Sequence, residues 1–125
     1  YIHISAYSAL YAGSGITIDN FSGLSPRCTL FSESDDFSGK SLVGPFFTAK
    51  EHKPHYISGA ITLNKYVQIG CNSTIMPGTT LHEGVAIGAH SLVTKSCSDW
   101  GIYTGTPARY IKKRNKDLIH LADSA

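Results

Sequence analysis

Hydrophobic residues recur at every sixth position through the second half of the chain: Leu63, Ile69, Ile75, Leu81, Ile87 and Val93. Four residues after each stands a small or β-branched one: Val67, Ser73, Thr79, Val85, Ser91 and Cys97. Ile, Leu and Val supply 25 of the 125 residues, so six such hits in a row from a given start arise by chance roughly once in ten thousand. A period of six is neither the 3.6 of a helix nor the 2.0 of a simple strand. It belongs to a chain that coils in repeating units, each burying its apolar face against the next.

Eighteen residues make three beats. Leu63 then stacks on Leu81, Ile69 on Ile87 and Ile75 on Val93, as three walls of a triangular prism. Each wall strand pairs in parallel with the coil above at about 4.8 Å, which satisfies its backbone groups. The corners need residues tolerant of unusual dihedrals, and Gly70, Asn72, Pro77, Gly78, Gly84 and Gly88 fall there. A weaker version opens the chain: Ile4, Leu10 and Ile16 keep the beat, and Ile18, Leu24 and Leu30 resume it after a slip of two. Gly13-Ser14-Gly15 is placed to absorb that slip as a bulge or tight turn.

From about Glu33 to Gly59 the beat fails. This excursion carries Pro45, Pro54, several Gly and aromatic residues, and loops of such length in compact domains tend to be functional or disordered. The regular pattern ends at Trp100-Gly101, where a lone Trp either plugs the prism or flanks a groove. Residues 116–122 follow a helical pattern, with Leu118, Ile119 and Ala122 on one face. Such a helix is expected to cap the open end of the coil. The reading is an all-β single domain over 1–125, with a long excursion at about 33–60 and a short C-terminal helix. Because the sequence starts at Tyr1, already in the repeat, an N-terminal portion is expected to lie outside it.

A net charge of +2 does not call for nucleic acid, and no apolar stretch reaches membrane-spanning length. No secretory leader is visible. Cys28 and Cys97 fall at small inward positions where a thiol acts as an apolar filler, and the odd cysteine count without CxxC fits a reducing cytoplasm. Arg109, Lys112, Lys113, Arg114 and Lys116 crowd into eight residues. That run is either a solvated face or a phosphate-binding edge. His82 and His90 lie eight residues apart on different walls, which is poor geometry for a zinc site, and no metal is expected.

The stretch Val67-Gln68-Ile69-Gly70 through Val93-Thr94-Lys95, followed by Gly105-Thr106-Pro107-Ala108 and Arg109-Tyr110-Ile111-Lys112-Lys113, resembles the hexapeptide-repeat acyltransferases. Within them it is similar to the branch of galactoside, maltose, streptogramin and bacterial surface-sugar acyltransferases. The resemblance implies a left-handed parallel β-helix, against the usual right-handed crossover rule. It further implies a homotrimer with active sites between subunits, and acetyl-CoA as acyl donor lying along the groove. Carried over by motif, cofactor contact falls on Cys71, Ala89, Thr94, Lys95, Arg109 and Lys112.

Acyl transfer from a thioester needs a base for the acceptor proton and donors for the developing oxyanion. Counted from Leu24-Ser25-Pro26, the position where such families carry a catalytic His falls here on Asp35. Three readings follow. Asp35 or Asp36 is itself the base, its pKa raised by a like-charged neighbour and burial. His52 or His55 reaches across the subunit groove. Or activity has been lost. The candidate catalytic residues are Asp35, Asp36 and His55. The expected function is acyl-CoA-dependent acylation of a hydroxyl or amine on a sugar or nucleotide sugar, in a bacterial cytoplasm. The alternatives are a xenobiotic acetyltransferase of streptogramin type and a non-catalytic trimeric scaffold.

Overall fold

The computed structural model describes residues 1–125, and its strands stack as the six-residue beat requires. Wall one layers Ile2–Ile4, Ser22–Leu24, Gln68–Ile69, Ala86–Ile87 and Gly101–Gly105 in parallel. Wall two layers Ala9–Tyr11, Thr29–Phe31, Thr74–Ile75 and Leu92–Val93. Wall three layers Ile16–Ile18, Ile61–Leu63 and Thr80–Leu81. The expected registers hold: Leu63 pairs with Leu81, Ile69 with Ile87 and Ile75 with Val93. All six of these side chains are buried in one core, together with Leu24, Leu30, Ile61, Val67, Val85, Cys28 and Cys97.

The buried hydroxyls at small inward positions return their protons to backbone carbonyls. Ser73 Oγ and Ser91 Oγ both donate to Gly88 O, at 3.1 and 2.7 Å, and Thr79 Oγ1 donates to Met76 O at 2.9 Å. A buried polar group is tolerated when it is bonded in this way, so Ser and Thr alternate with Val at these sites. Burial pushes the Cys97 thiol up to about 11, keeping it a neutral filler.

In the first coil Ile4 pairs with Leu24 and Leu10 with Leu30, but it is Ile18 that aligns with Leu63, while Ile16 aligns with Ile61. The slip of two is therefore taken up between Tyr11 and Ile16, at Gly13-Ser14-Gly15. Gly15 turns there with φ +99°. The Glu33 carboxylate lies over Gly13, 2.5 Å from where a Cβ would stand, so a side chain there would displace it. The insertion is a seat for the stem of the excursion.

That excursion leaves wall two after Ser32 and returns at Gly59, whose N–H donates to Ser32 O at 2.9 Å. Gly59 lies so close to Gly78 that a Cβ would sit 2.7 Å from its Cα. At its base Glu33–Ser34 pairs antiparallel with Ile57–Ser58.

Two expectations about the C-terminal end are corrected. After Trp100 the chain does not leave the coil: Gly101–Gly105 adds another rung to wall one, and Ala108–Lys113 turns back antiparallel upon it. The helix spans Leu118–Ala122 and buries no residue, so it does not cap the prism. Leu118, Ile119 and Ala122 are its less exposed side, but five residues offer too little apolar area to displace a hydrogen-bonded strand. Trp100 sits in the corner between walls three and one rather than in the bore. It tops a column of Tyr1, Phe21 and Tyr66 rings spaced 5.1 to 5.8 Å, with its indole laid over side-chain-free Gly84.

This packing predicts unequal losses. Ile75→Ala, at a fully buried position, should cost about 2–5 kcal/mol in urea unfolding. Leu121→Ala, on the exposed helix, should cost less than about 0.5 kcal/mol.

Candidate active site

One corner of the prism carries a continuous strip of backbone. Between walls one and two, Ser25 N–H donates to Ile69 O at 2.9 Å, Gly70 N–H to Ile87 O at 2.8 Å, and Gly88 N–H to Tyr103 O at 2.9 Å. Ser25, Gly70, Gly88 and Thr104 therefore lie one above another, and Thr104 is paired with Arg109 on the returning strand. The two glycines are required. A Cβ on Gly70 would lie 2.6 Å from Ala89 N, and one on Gly88 would lie 2.6 Å from Thr104 Oγ1. The residues that follow them, Cys71 and Ala89, are small and partly or fully exposed. Ser25, Gly70, Gly88, Thr104 and Arg109 thus form a column of five stacked backbone positions, four rung spacings or roughly 19 Å long.

The basic run divides in two. Arg114 is structural: its guanidinium donates to Tyr66 O at 2.6 Å and Gly84 O at 3.1 Å, and burial lowers its pKa. Lys116 sits over the Trp100 ring at 5.6 Å. Arg109, Lys112 and Lys113 are exposed and have no carboxylate partner. Of these, Arg109 stands opposite Thr104 at the column, whereas Lys112 and Lys113 lie opposite Ile102 and Gly101, toward the Trp100 corner.

Thr94 and Lys95 are also exposed, but they follow Leu92–Val93 and so lie at the other edge of wall two. The excursion leaves from that same edge. Within one chain the candidate cofactor residues thus form two groups, with Cys71, Ala89, Arg109 and Lys112 on one side of wall two and Thr94 and Lys95 on the other.

The excursion is tied by polar contacts that the sequence pattern did not reveal. Asp35 Oδ1 accepts from Lys53 Nζ at 2.7 Å and Oδ2 from Gly44 N–H at 3.0 Å. Lys53 is the better shielded partner, its side chain 12% exposed against 36% for Asp35, and its ammonium lies over the Tyr56 ring at 5.3 Å. Glu33 accepts from Ser14 Oγ at 3.0 Å and Tyr56 OH at 3.2 Å. Asp36 accepts from Ser38 Oγ at 2.6 Å. His55 is exposed, its backbone N–H donating to Ser41 Oγ at 2.9 Å, while His52 meets Phe47 edge-on at 5.9 Å.

These contacts correct the expected electrostatics of Asp35 and Asp36. Neither carboxyl is raised. The hydrogen bond from Lys53, then that from Gly44, holds Asp35 below the ordinary carboxylate value, and Ser38 does the same for Asp36. The like-charged neighbour loses to a direct cation because an ion pair at hydrogen-bond distance outweighs a more distant charge in water. Asp35 is therefore a fixed anion suited to accepting N–H or O–H bonds and to stabilising positive charge. No group of three or more His, Cys, Asp or Glu side chains converges as a metal site would need, and no helix is long and apolar enough to cross a membrane.

With this geometry in hand, the chain falls in the class of hexapeptide-repeat proteins: residues 61–95 match the bacterial transferase hexapeptide (six repeats). Among individual proteins it is 36% identical over 121 residues to dTDP-4-amino-4,6-dideoxy-D-glucose acyltransferase of Escherichia coli, aligned over 97% of this chain and 62% of that one. It is also similar to AntD, an N-acyltransferase from Bacillus cereus solved with dTDP-4-amino-4,6-dideoxyglucose and coenzyme A. There the TM-score is 0.95 at 41% identity, over 99% of this chain and 66% of that one. AntD has also been solved with dTDP and 3-hydroxybutyryl-CoA. A more distant likeness, 32% identity over 87 residues and 41% of the relative, is to the putative lipopolysaccharide O-acetyl transferase WbbJ of Escherichia coli K12. The chain thus spans about two thirds or less of these relatives.

AntD structures include variants at one serine and at one aspartate ten positions apart in its own sequence. Ser25 and Asp35 are the only serine and aspartate here with that order and spacing. Ser25 carries no repeat signal of its own, and sequence reasoning passed over it. Lys53 was equally hidden, since its partner lies eighteen residues away in an aperiodic loop.

Because the folded Asp35 carboxyl binds its proton less readily than the unfolded one, the Lys53 pair favours the fold above the ordinary carboxylate value, and this contribution is lost as pH falls through the depressed folded value. Carboxyl-carbon NMR titration should therefore find Asp35 titrating below other exposed aspartates. In Lys53→Met its midpoint should move up toward theirs.

Proposed function

We propose that this chain forms the catalytic coil of an acyl-CoA-dependent transferase acylating the amine of a nucleotide-linked amino sugar. The observation that carries the reading is the stacked column from Ser25 through Gly70, Gly88 and Thr104 to Arg109. An extended pantetheine arm can hydrogen-bond there to the Cys71 and Ala89 N–H groups, which have no backbone partner, and their side chains are too small to obstruct it. Arg109 at its end and Lys112 on the same strand supply charge-assisted bonds to phosphates. Thr94 and Lys95 would reach the same cofactor from a neighbouring copy. The coil is read as left-handed and the working unit as a homotrimer, supported by the hexapeptide repeat and by the division of candidate residues between the two edges of wall two. Three free cysteines support a reducing, cytoplasmic setting.

An amine acceptor fits the electrostatics. A neutral amine carries a nucleophilic lone pair and needs no base before it attacks the thioester carbonyl. Positive charge then develops on its nitrogen, and a fixed carboxylate stabilises it. As the C–S bond breaks, one N–H proton passes to the departing thiolate, giving amide and free thiol. Asp35 is assigned to hold the amine, and Ser25, across the subunit groove, to bond the reacting groups. Asp36 and His55 take supporting places in the excursion. A hydroxyl acceptor would instead ask for a base near neutral pH, which a Lys53-bound carboxylate is not.

Thiol release from acyl-CoA, measured against amino-sugar nucleotides, hydroxyl sugars and streptogramins, tests this directly. Turnover is expected only with the amino-sugar nucleotides, and Asp35→Asn should lower kcat/KM by about a hundredfold or more. Turnover with streptogramins alone would favour the xenobiotic reading, and absence of any CoA binding would reduce the protein to a scaffold. Arg109→Ala should raise KM for acyl-CoA roughly tenfold, the effect of losing one charge-assisted bond, with kcat little changed.

A further inference from the structure

The Ser25 hydroxyl is set by one neighbour. Gln68 is exposed on wall one, in register with Gly23 on the rung below. Its side chain folds back along the wall, so that Nε2 donates to Ser25 Oγ at 3.2 Å and to Ile69 O at 3.4 Å. Ile69 O is a carbonyl and can only accept, which fixes the nitrogen end of the amide toward Ser25. The amide oxygen lies over Gly23, 2.7 Å from where a Cβ would stand. A side chain at position 23 would therefore lift the carboxamide off its place and break its reach to Ser25.

We propose that Gln68 is a positioning residue for acyl transfer, holding Ser25 Oγ as an acceptor so that its O–H is left to donate to the thioester carbonyl; this rests on the proposed transferase reading. A hydroxyl carries one proton and two lone pairs. The bond from Gln68 is the only side-chain bond that Ser25 Oγ makes, so its proton is uncommitted. Accepting from an amide also strengthens the hydroxyl as a donor, because linked hydrogen bonds polarise one another. When the amine attacks, the carbonyl electron pair moves onto oxygen, and a preset O–H meets that charge without reorganising. The proton stays on Ser25. The pair returns to re-form C=O as the C–S bond breaks, and the amine N–H proton passes to the thiolate. A carboxylate at position 68 would reverse the polarity: it only accepts, so it would draw the Ser25 proton to itself and turn a lone pair toward the oxyanion.

Steady-state kinetics with acyl-CoA and an amino-sugar nucleotide test this, using wild type, Ser25→Ala, Gln68→Glu and the double variant. An unchanged thermal midpoint checks the fold. Gln68→Glu should lower kcat about tenfold or more, with both KM values within about twofold of wild type. In the Ser25→Ala background the same substitution should change kcat by less than about twofold, since the hydroxyl it acts through is gone. Relative to wild type, the Gln68→Glu deficit should also shrink as pH falls toward about 4.3, the ordinary glutamate value, where the protonated acid donates again. Full activity of Gln68→Glu, equal losses in the two backgrounds, or a deficit unchanged with pH would each overturn the assignment and leave the transferase reading standing. A wild type that turns over no amino-sugar nucleotide would remove that reading, and this inference with it.

Discussion

Rung-to-rung backbone hydrogen bonding sets everything else in this fold. Each coil must present its N–H and C=O groups to the next at a fixed spacing of about 4.8 Å, so a residue's place along the axis follows from its place in the repeat. A coil with two extra residues, like the first, has to shed them at a corner, and it does so at Gly13–Gly15. An insertion of more than twenty residues has to leave and return at one point, and it does so between Ser32 and Gly59, with Gly59 closed down on Gly78. The same constraint stacks Ser25, Gly70 and Gly88 at consecutive corners, half-buried and one above another, in the column proposed to receive the acyl donor.

The charge distribution is organised around that frame. The returning strand brings Arg109 beside Thr104 at the top of the column, whereas Arg114 is turned to the opposite corner and spends its donors on Tyr66 and Gly84 carbonyls. At the other edge of wall two the excursion binds its own acids: Glu33 to Ser14 and Tyr56, Asp35 to Lys53, Asp36 to Ser38. Each carboxylate accepts hydrogen bonds that hold it in place. Such a site orients and stabilises charge more readily than it removes protons, which accords with the proposed amine acceptor rather than a hydroxyl.

The regular part of the structure was legible because periodicity maps directly onto register. Leu63 with Leu81, Ile69 with Ile87 and Ile75 with Val93 follow from counting by eighteen, and the small residues four places on were correctly read as inward. Contacts without a period were not legible. Nothing in Asp35 or Lys53 announces that eighteen residues of aperiodic loop bring them to 2.7 Å, and this contact reverses the expected direction of the Asp35 pKa. Composition also misled at the C-terminal end. A helical pattern at 116–122 suggested a cap, but edge pairing by Ala108–Lys113 satisfies open hydrogen bonds that a five-residue helix cannot. Among candidate site residues, Cys71, Ala89 and Arg109 lie toward one edge of wall two, while Thr94 and Lys95 stand at the other.

The central claim is that the backbone strip from Ser25 to Arg109 is the acyl-donor track. A crystal structure with coenzyme A bound tests it most directly. The account predicts pantetheine density lying along Gly70–Cys71 and Gly88–Ala89, its phosphates against Arg109 and its thiol toward Ser25. Coenzyme A seated on the excursion or in the aromatic corner of Tyr66 and Trp100, with the strip left bare, would contradict it.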